Sequence, residues 1–175
     1  MNEAVPPLAE ALRVLVVDDE APARARLRDL LGDVGAQQPN ALAGMAANGV
    51  EALRLLEDAA VDVVLADIRM PVMNGIEATS RIRQMEAGQV WTPIIFLTAS
   101  DTPDNLVMAI DAGADDFLSK TVPENVLQAK MKALNRIAAL RHDLVLANQR
   151  LQDMAHRDGL TGLANRRRMD NLTDA

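Results

Sequence analysis

Four apolar segments of the chain are each followed by side chains that can bind a cation or a phosphoryl group. The acid pair Asp18 and Asp19 follows the first segment, Asp67 a second, Thr98 a third and Lys120 the last. Carboxylates brought together repel one another, so they need either raised pKa values or a bound cation such as Mg²⁺. A hydroxyl and an amine nearby suit the oxygens of a phosphoryl group. The residue types therefore indicate phosphoryl-transfer chemistry assisted by a divalent cation.

Each of these residues also has an ordinary structural explanation. An acid after a strand most often caps a helix or forms a turn, a threonine there often forms a turn, and a lone lysine is usually solvated. The functional interpretation depends on their coincidence at the same ends of four predicted strands. No glycine-rich GxGxxG or GxxxxGK[ST] segment follows the first strand, which argues against dinucleotide or P-loop binding.

An alternation of strands and helices has to position these side chains. Apolar runs predict strands at 12–17, 41–46, 61–66, 93–97 and 116–118, and helical periodicity predicts helices at about 22–32, 49–58, 76–85 and 103–111, with a fifth opening at Pro123. This order predicts an α/β fold with a parallel sheet and helices on both faces. Ligands of such sheets bind at the carboxyl ends of the strands, where the candidate residues lie.

The composition excludes several function classes. Hydrophobic residues make up 49% of the 175, and no apolar run reaches the roughly 18 residues of a membrane span. A net charge of -7 and 2% aromatic residues argue against direct nucleic-acid binding. The absence of cysteine fits a cytoplasmic protein, and residues 1–10 lack the apolar core of a signal peptide. We expect a cytoplasmic chain with a flexible leader at 1–10.

In combination, these segments resemble the receiver domains of bacterial two-component response regulators. The acid pair after the first strand and the segment DIRMP at 67–71 match the family's motifs, and we place the domain at 11–134. The resemblance implies a doubly wound, flavodoxin-like sheet with strand order 2-1-3-4-5. It also implies that Asp67 is the phosphoacceptor, taking a phosphoryl group from a histidine kinase or a phosphotransfer protein to form an acyl phosphate.

The resemblance further implies a metal site. Asp19, Asp67 and the backbone carbonyl of Arg69 would ligate Mg²⁺ or Mn²⁺, and Asp18 would act through a water. The side chain of Arg69 lies beside the phosphoryl path, where it would either slow the attack of water or extend into solvent.

By the same resemblance, Thr98 and Lys120 would each bind a phosphoryl oxygen. Thr98 would pull its loop inward on phosphorylation, and Phe117 would be the aromatic switch residue whose burial is coupled to this movement. Ala99 is small, as the family prefers beside the path of the phosphoryl group.

The chain departs from the family after Lys120. The family usually places a proline with a cis peptide there, whereas this chain has Thr121, followed by Val122 and Pro123. A cis peptide before a residue other than proline costs about 2.5–4 kcal/mol, so either that strain is tolerated or the loop differs here.

The segment after the receiver predicts a long helix that leaves the domain. Apolar residues recur at heptad spacing at Ala133, Ile137, Leu140, Leu144, Ala147, Leu151 and Met154, and no proline or glycine occurs between 124 and 155. A second stripe, Leu127, Met131, Leu134 and Ala138, is expected to face the receiver core.

We expect a coiled coil at 135–156 and a homodimer formed through it and through the fourth helix, fifth strand and fifth helix. The alternative is one amphipathic helix packed on its own domain. His142 and His156 are expected to face solvent.

Residues 157–175 carry a second resemblance. The segment DGLTGLANRR at 158–167 is similar to the start of GGDEF domains, which are diguanylate cyclases, although it also reads as a loop with a solvated charge run. The catalytic GGDEF loop is absent, so we expect the chain to be a regulatory part without cyclase activity of its own. The alternatives are a constitutive dimerisation module and a receiver with another output, such as DNA binding.

Overall fold

Five strands and five helices alternate along the chain in this computed structural model, which describes residues 11–86, 91–99 and 103–156, with backbone only for 105, 142, 152, 153, 155 and 156. Their bounds are β1 Leu12–Val17, α1 Ala21–Gly35, β2 Asn40–Ala46, α2 Gly49–Asp58, β3 Val63–Asp67, α3 Gly75–Glu86, β4 Ile94–Thr98, α4 Pro103–Asp111, β5 Asp116–Ser119 and α5 Glu124–His156. The strands form one parallel sheet in the order β2-β1-β3-β4-β5. The predicted α/β fold and strand order are confirmed.

The two faces of the sheet carry separate apolar cores. Along β1, Val14 and Val16 face one side while Leu15 and Val17 face the other, as the two-residue period of a strand requires. The first core also receives Leu27 and Leu31 of α1 and Leu127 and Met131 of α5. The second receives Ala52 of α2, Ile82 of α3 and Ala109 of α4. Burial on both faces explains why the central strands are continuous apolar runs.

Several boundaries differ from the sequence prediction. Helix α1 was expected to end at Gly32 but continues to Gly35, because Val34 is 1% exposed and its burial outweighs the helix-weakening effect of Gly32. Strands β3, β4 and β5 each end one residue later than predicted, at Asp67, Thr98 and Ser119. A polar residue can end a parallel strand because its backbone pairs with the neighbouring strand while its side chain faces the edge of the sheet.

Ion pairs join strands and loops at the end of the sheet away from the candidate site. Arg13 of β1 binds Asp62 through two side-chain hydrogen bonds of 2.8 and 2.7 Å. Burial raises the pKa of Asp62, but the hydrogen bonds and charge of Arg13 outweigh it and hold that pKa below its ordinary value. Arg83 of α3 binds Glu86, Asp115 and the Gly113 carbonyl. These contacts fasten α3 and the strand starts to each other.

The described residues divide into two compact units, one reaching to Asn135 and the other comprising α5 from Arg136. In the first unit, Leu127 and Met131 are buried and Leu134 packs against the same core, as predicted. Ala138 belongs to the second unit and to neither core.

The second unit exposes most of the heptad stripe. Its large exposed members are Ile137, Leu140, Leu144, Leu151 and Met154. The side chains of His142 and His156 lie outside the described residues, and so does the segment 157–175. Among the described residues, no helix combines the length and the apolar character that crossing a membrane requires.

Candidate functional site

Three carboxylates meet at the carboxyl ends of β1 and β3. Oxygens of Asp18, Asp19 and Asp67 all lie within 4.8 Å of one another. Asp18 is fully buried and Asp67 is 7% exposed, while Asp19 faces solvent. The backbone N–H of Asp18 donates to the Ala46 carbonyl at 3.1 Å, and its side chain accepts from the Glu20 N–H at 2.9 Å. The sequence prediction that these acids converge is therefore correct in geometry.

Asp67 ends β3 with both carboxylate oxygens in defined contacts. Oδ2 accepts a hydrogen bond from Lys120 Nζ at 2.7 Å, and Oδ1 accepts one from the Arg69 N–H at 3.3 Å. Gly75 opens α3 directly behind this residue. A Cβ added at Gly75 would lie 2.2 Å from the Asp67 carbonyl oxygen, so only glycine allows this approach of the helix to the strand end.

Lys120 links the two buried acids. Its ammonium donates a hydrogen bond to Asp67 Oδ2 at 2.7 Å and forms an ion pair with Asp18 Oδ2 at 2.9 Å. Burial lowers the pKa of Lys120, but the hydrogen bond with Asp67 and the negative charges of Asp67 and Asp18 outweigh it and hold the pKa above its ordinary value. Lys120 is therefore fully protonated at neutral pH.

Thr98 ends β4 and lies in the same crevice. A cavity of about 370 Å³ is lined by Asp19, Glu20, Asp67, Ile68, Arg69, Thr98, Ala99 and Lys120. The Thr98 hydroxyl oxygen is buried and has no hydrogen-bond partner among the described residues. A buried hydroxyl left unpaired is costly, so its oxygen and proton are available to a ligand that enters the cavity.

Phe117 lies outside the crevice lining. It sits on β5 opposite Phe96 of β4, with the ring centroids 6.1 Å apart, and packs half-buried against the second core. It lies on the same strand as Leu118, three residues before Lys120. Its role as a switch residue stays a prediction.

The loop after Lys120 differs from the family pattern noted above. Every peptide bond among the described residues is trans, including the one between Lys120 and Thr121. The Thr121 N–H donates to Ser119 Oγ at 3.1 Å, and the two hydroxyls lie 2.8 Å apart. A proline at this position has no N–H and would lose the first of these contacts. Of the two outcomes considered from sequence, a different loop is the one observed.

Arg69 is exposed and lines two adjoining cavities. One is the crevice above, and the other, of about 610 Å³, is lined by Asp19, Ile68, Arg69, Met70, Pro71, Asn74 and Ile76. Arg69 therefore lines the same cavity as Asp67, and both its position beside the phosphoryl path and its effect on the attack of water stay predictions.

The donor set fits a divalent cation. Three carboxylates and one ammonium leave a net charge of minus two in the cluster, which one Mg²⁺ or Mn²⁺ neutralises. Asp18 Oδ2 is buried and pairs with the Lys120 ammonium at 2.9 Å, and it accepts no hydrogen bond from the other described residues. An open cavity adjoins the acids on the side of Thr98 and Lys120. The crevice can therefore hold a cation and a phosphoryl group side by side.

The family model for the response regulator receiver domain matches residues 14–132, and the chain belongs to this family. Among curated proteins, the chain is 38% identical over 125 residues to the response regulator MprA of Mycobacterium sp. (strain KMS), covering 71% of this chain and 51% of that protein. It is also 38% identical over 127 residues to the transcriptional regulatory protein ResD of Bacillus subtilis, covering 73% and 49%. The chain thus spans about half the length of these relatives. It is a two-component receiver that acts in phosphorelay signalling.

Solved structures agree with this membership. The chemotaxis protein CheY4 of Vibrio cholerae aligns with a TM-score of 0.61 at 30% identity, covering 71% of this chain and 98% of that one. The receiver domain of the sensor histidine kinase PA1611 from Pseudomonas aeruginosa aligns with a TM-score of 0.62 at 29% identity, covering 71% and 98%. That structure holds a magnesium ion in its active-site cleft.

Several residues shape the site without lying in its motifs, and they were not among the predicted site residues. Glu20 lines the crevice, Gly75 lets α3 approach Asp67, and Arg24 and Arg26 of α1 donate to backbone carbonyls beside the charged residues. The glycine after DIRMPVMN was a visible signal for a close approach. The arginines gave no such signal in the sequence, because the carbonyl that Arg26 binds lies 94 residues away.

Proposed function

We propose that Asp67 accepts a phosphoryl group from a phosphohistidine donor, which is a histidine kinase or a phosphotransfer protein. A carboxylate oxygen of Asp67 attacks phosphorus and forms the new P–O bond. The P–N bond to the donor imidazole breaks, and its electron pair stays on the nitrogen, which takes a proton from solvent so that the neutral imidazole leaves. The product is an acyl phosphate on Asp67.

The surrounding side chains have separate tasks in this transfer. Asp19, Asp67 and the Arg69 carbonyl would hold Mg²⁺ or Mn²⁺, with Asp18 acting through a water, and the bound cation would neutralise charge on the phosphoryl oxygens. Lys120 would turn from Asp67 Oδ2, which it now binds, to a phosphoryl oxygen. Thr98 would donate its unpaired hydroxyl to another oxygen.

One observation carries the proposal: the buried carboxylate of Asp67 is 2.7 Å from a protonated lysine and shares a cavity with an unpaired threonine hydroxyl. A structural ion pair alone does not require the empty space or the unpaired hydroxyl. The arrangement is complete once a tetrahedral anion and a cation enter.

Incubation with a small acyl phosphate and Mg²⁺ tests the transfer, with intact-protein mass spectrometry as the readout. We expect the wild type to gain one phosphoryl group, and Asp67→Asn to gain none. Asp29→Asn, which changes an exposed aspartate on α1, serves as the control and should be labelled like the wild type. Labelling of Asp67→Asn at the wild-type level would refute Asp67 as the acceptor.

We propose that phosphorylation controls dimerisation through α4, β5 and α5. Support comes from the exposed apolar side chains of Val107, Met108 and Ile110 on α4 and from the exposed heptad residues of α5. Apolar patches of this kind on a surface favour protein contacts. Thr98 and Phe117 lie on the neighbouring strands β4 and β5, which gives the phosphoryl group a short route to this face.

We propose a diguanylate cyclase as the output of the whole protein, on the support of the segment at 158–167, which lies outside the described residues. A transcriptional output is the second candidate, because relatives such as ResD are named transcriptional regulatory proteins. Assays of the whole protein for cyclic di-GMP synthesis from GTP distinguish them. A cyclase whose rate responds to Asp67→Asn supports the first candidate, whereas sequence-specific DNA binding without synthesis supports the second.

A further inference from the structure

Two arginines of α1 hold the loops that carry the charged residues of the site. Arg24 Nη1 donates to the Asp18 carbonyl at 2.5 Å. Arg26 donates through Nη1 to the Lys120 carbonyl and through Nη2 to the Val122 carbonyl, the second at 3.3 Å. One helix therefore contacts both the loop after β1 and the loop after β5.

The two hydrogen bonds of Arg26 restrain the backbone next to the lysine. The Lys120 carbonyl is bonded to the same Cα that bears the side chain, so fixing this carbonyl limits the directions in which the ammonium can point. A guanidinium is a rigid planar fork and can hold two carbonyls at a set spacing, which a lysine ammonium cannot reproduce. Thr121 lies between the two bound carbonyls.

The other hydrogen bonds of this loop either lie within residues 119–122 or join the Lys120 N–H to β4. The Lys120 N–H donates to the Thr98 carbonyl at 2.8 Å, and the Val122 N–H donates to the Ser119 carbonyl at 2.9 Å. Hydrogen bonds between Ser119 and Thr121 add a further contact within the turn. Among the described residues, Arg26 supplies the side-chain contacts that tie the downstream carbonyls to another element.

We propose that Arg26 is a positioning residue that aims Lys120 at the phosphoryl group, an inference that rests on the proposed function of Asp67. Arg26 acts through the loop backbone and does not itself contact the phosphoryl group. Arg26 restrains the loop on both sides of Thr121, the residue that this chain has in place of the usual proline of the family.

Arg28 provides a matched control on the same helix. Its guanidinium pairs with the neighbouring Asp29 at 2.8 Å, and its side chain is 51% exposed. Arg28→Ala removes the same atoms as Arg26→Ala from the same helix while leaving the lysine loop untouched. Arg26→Lys keeps the charge and one point of donation but loses the fork.

The test compares two affinities for each variant: that for Mg²⁺ alone, by calorimetry, and that for beryllofluoride at saturating Mg²⁺, by fluorine NMR. Beryllofluoride mimics a phosphoryl group on the aspartate. We expect Arg26→Ala to weaken beryllofluoride binding on the order of tenfold, the effect of losing one good charge-assisted hydrogen bond. Its Mg²⁺ affinity should not fall, because the carboxylates are intact and a misplaced ammonium competes less with the cation. Arg26→Lys should be intermediate, and Arg28→Ala should match the wild type.

Three results would overturn the proposal. One is beryllofluoride affinity in Arg26→Ala equal to that of the wild type. Another is an equal fall in both affinities together with a lower unfolding midpoint, since this describes general damage to the fold. A wild type that binds no beryllofluoride would overturn the proposed function itself, which separates that failure from a failure of Arg26 alone.

Discussion

At the residue scale, the site is a charge cluster with two negative charges in excess. Lys120 offsets one of the three carboxylates, and its contacts to Asp18 and Asp67 hold it in place before any ligand binds. On the proposed function, a cation and a phosphoryl group together would change these contacts, because the phosphoryl oxygens would compete for the same ammonium. The resting arrangement thus already contains the partner that phosphorylation would redirect.

The loop that follows Asp67 contains a strained residue. Val72 has a φ of 68° and is 84% exposed, and the Met73 N–H donates to the Pro71 carbonyl at 2.7 Å, which closes a γ-turn around it. A positive φ is unfavourable for a β-branched side chain, and no packing compensates at this exposure. The turn is held by its surroundings against the local preference of valine.

We predict that Val72→Gly stabilises the receiver by about 1 kcal/mol. Relief of a positive φ is worth about 1–2 kcal/mol, and the extra freedom of glycine in the unfolded chain offsets about 0.4–1 kcal/mol of it. Urea unfolding measures the change, and Val72→Ala, which keeps most of the strain, is the control. A lower free energy of unfolding for Val72→Gly than for the wild type would show that the turn is not strained.

At the scale of elements, the sequence predicted each strand and helix because their apolar periods are regular, and it predicted Asp18, Asp67, Thr98 and Lys120 at strand ends for the same reason. The extension of α1 past Gly32 escaped prediction, since it depends on the burial of Val34 in a core formed by distant segments. Contacts such as that of Arg26 with the lysine loop also depend on tertiary structure, which local patterns do not encode.

The pair of Arg13 and Asp62 makes a prediction about acid stability. Because the pKa of Asp62 is lowered in the folded protein, its contribution is present above the unfolded pKa of about 3.9 and is lost as pH falls through the folded value. We expect Asp62→Asn to lower the free energy of unfolding by about 1 kcal/mol at neutral pH. Below about pH 4, the stability of this variant should fall less steeply than that of the wild type.

Urea unfolding across the acid range measures this difference. Asp29→Asn controls for the loss of one acidic group at an exposed pair. Parallel curves for Asp62→Asn and the wild type down to the acid limit would contradict the assignment of this acid dependence to Asp62.

The beginning and the later part of helix α5 are predicted to contribute differently to the stability of the receiver. Leu127 is fully buried, so Leu127→Ala should destabilise the receiver by about 2–5 kcal/mol. Leu144 is 61% exposed, so Leu144→Ala should change the unfolding free energy of the monomer by no more than about 0.5 kcal/mol. Chemical unfolding at a concentration where the chain is monomeric checks both values. Equal destabilisation by the two substitutions would mean that Leu144 also packs in a core.

At the scale of the whole molecule, the receiver is followed along the chain by a long helix with an exposed apolar stripe. We propose that phosphorylation of Asp67 changes the contacts of Thr98 and Lys120, which follow one another at the ends of the neighbouring strands β4 and β5, and that this change alters the proposed dimer face. If this face has two conformations, phosphorylation can control dimerisation by favouring one of them. A constitutive dimer is the alternative, and it predicts no response to Asp67.

Light scattering of the chain with and without Mg²⁺ and beryllofluoride, for the wild type and Asp67→Asn, tests this account most directly. We predict that the molar mass of the wild type shifts from monomer towards dimer when both reagents are present, and that the mass of Asp67→Asn does not change. The same molar mass for both proteins under all conditions would contradict control of assembly by phosphorylation of Asp67.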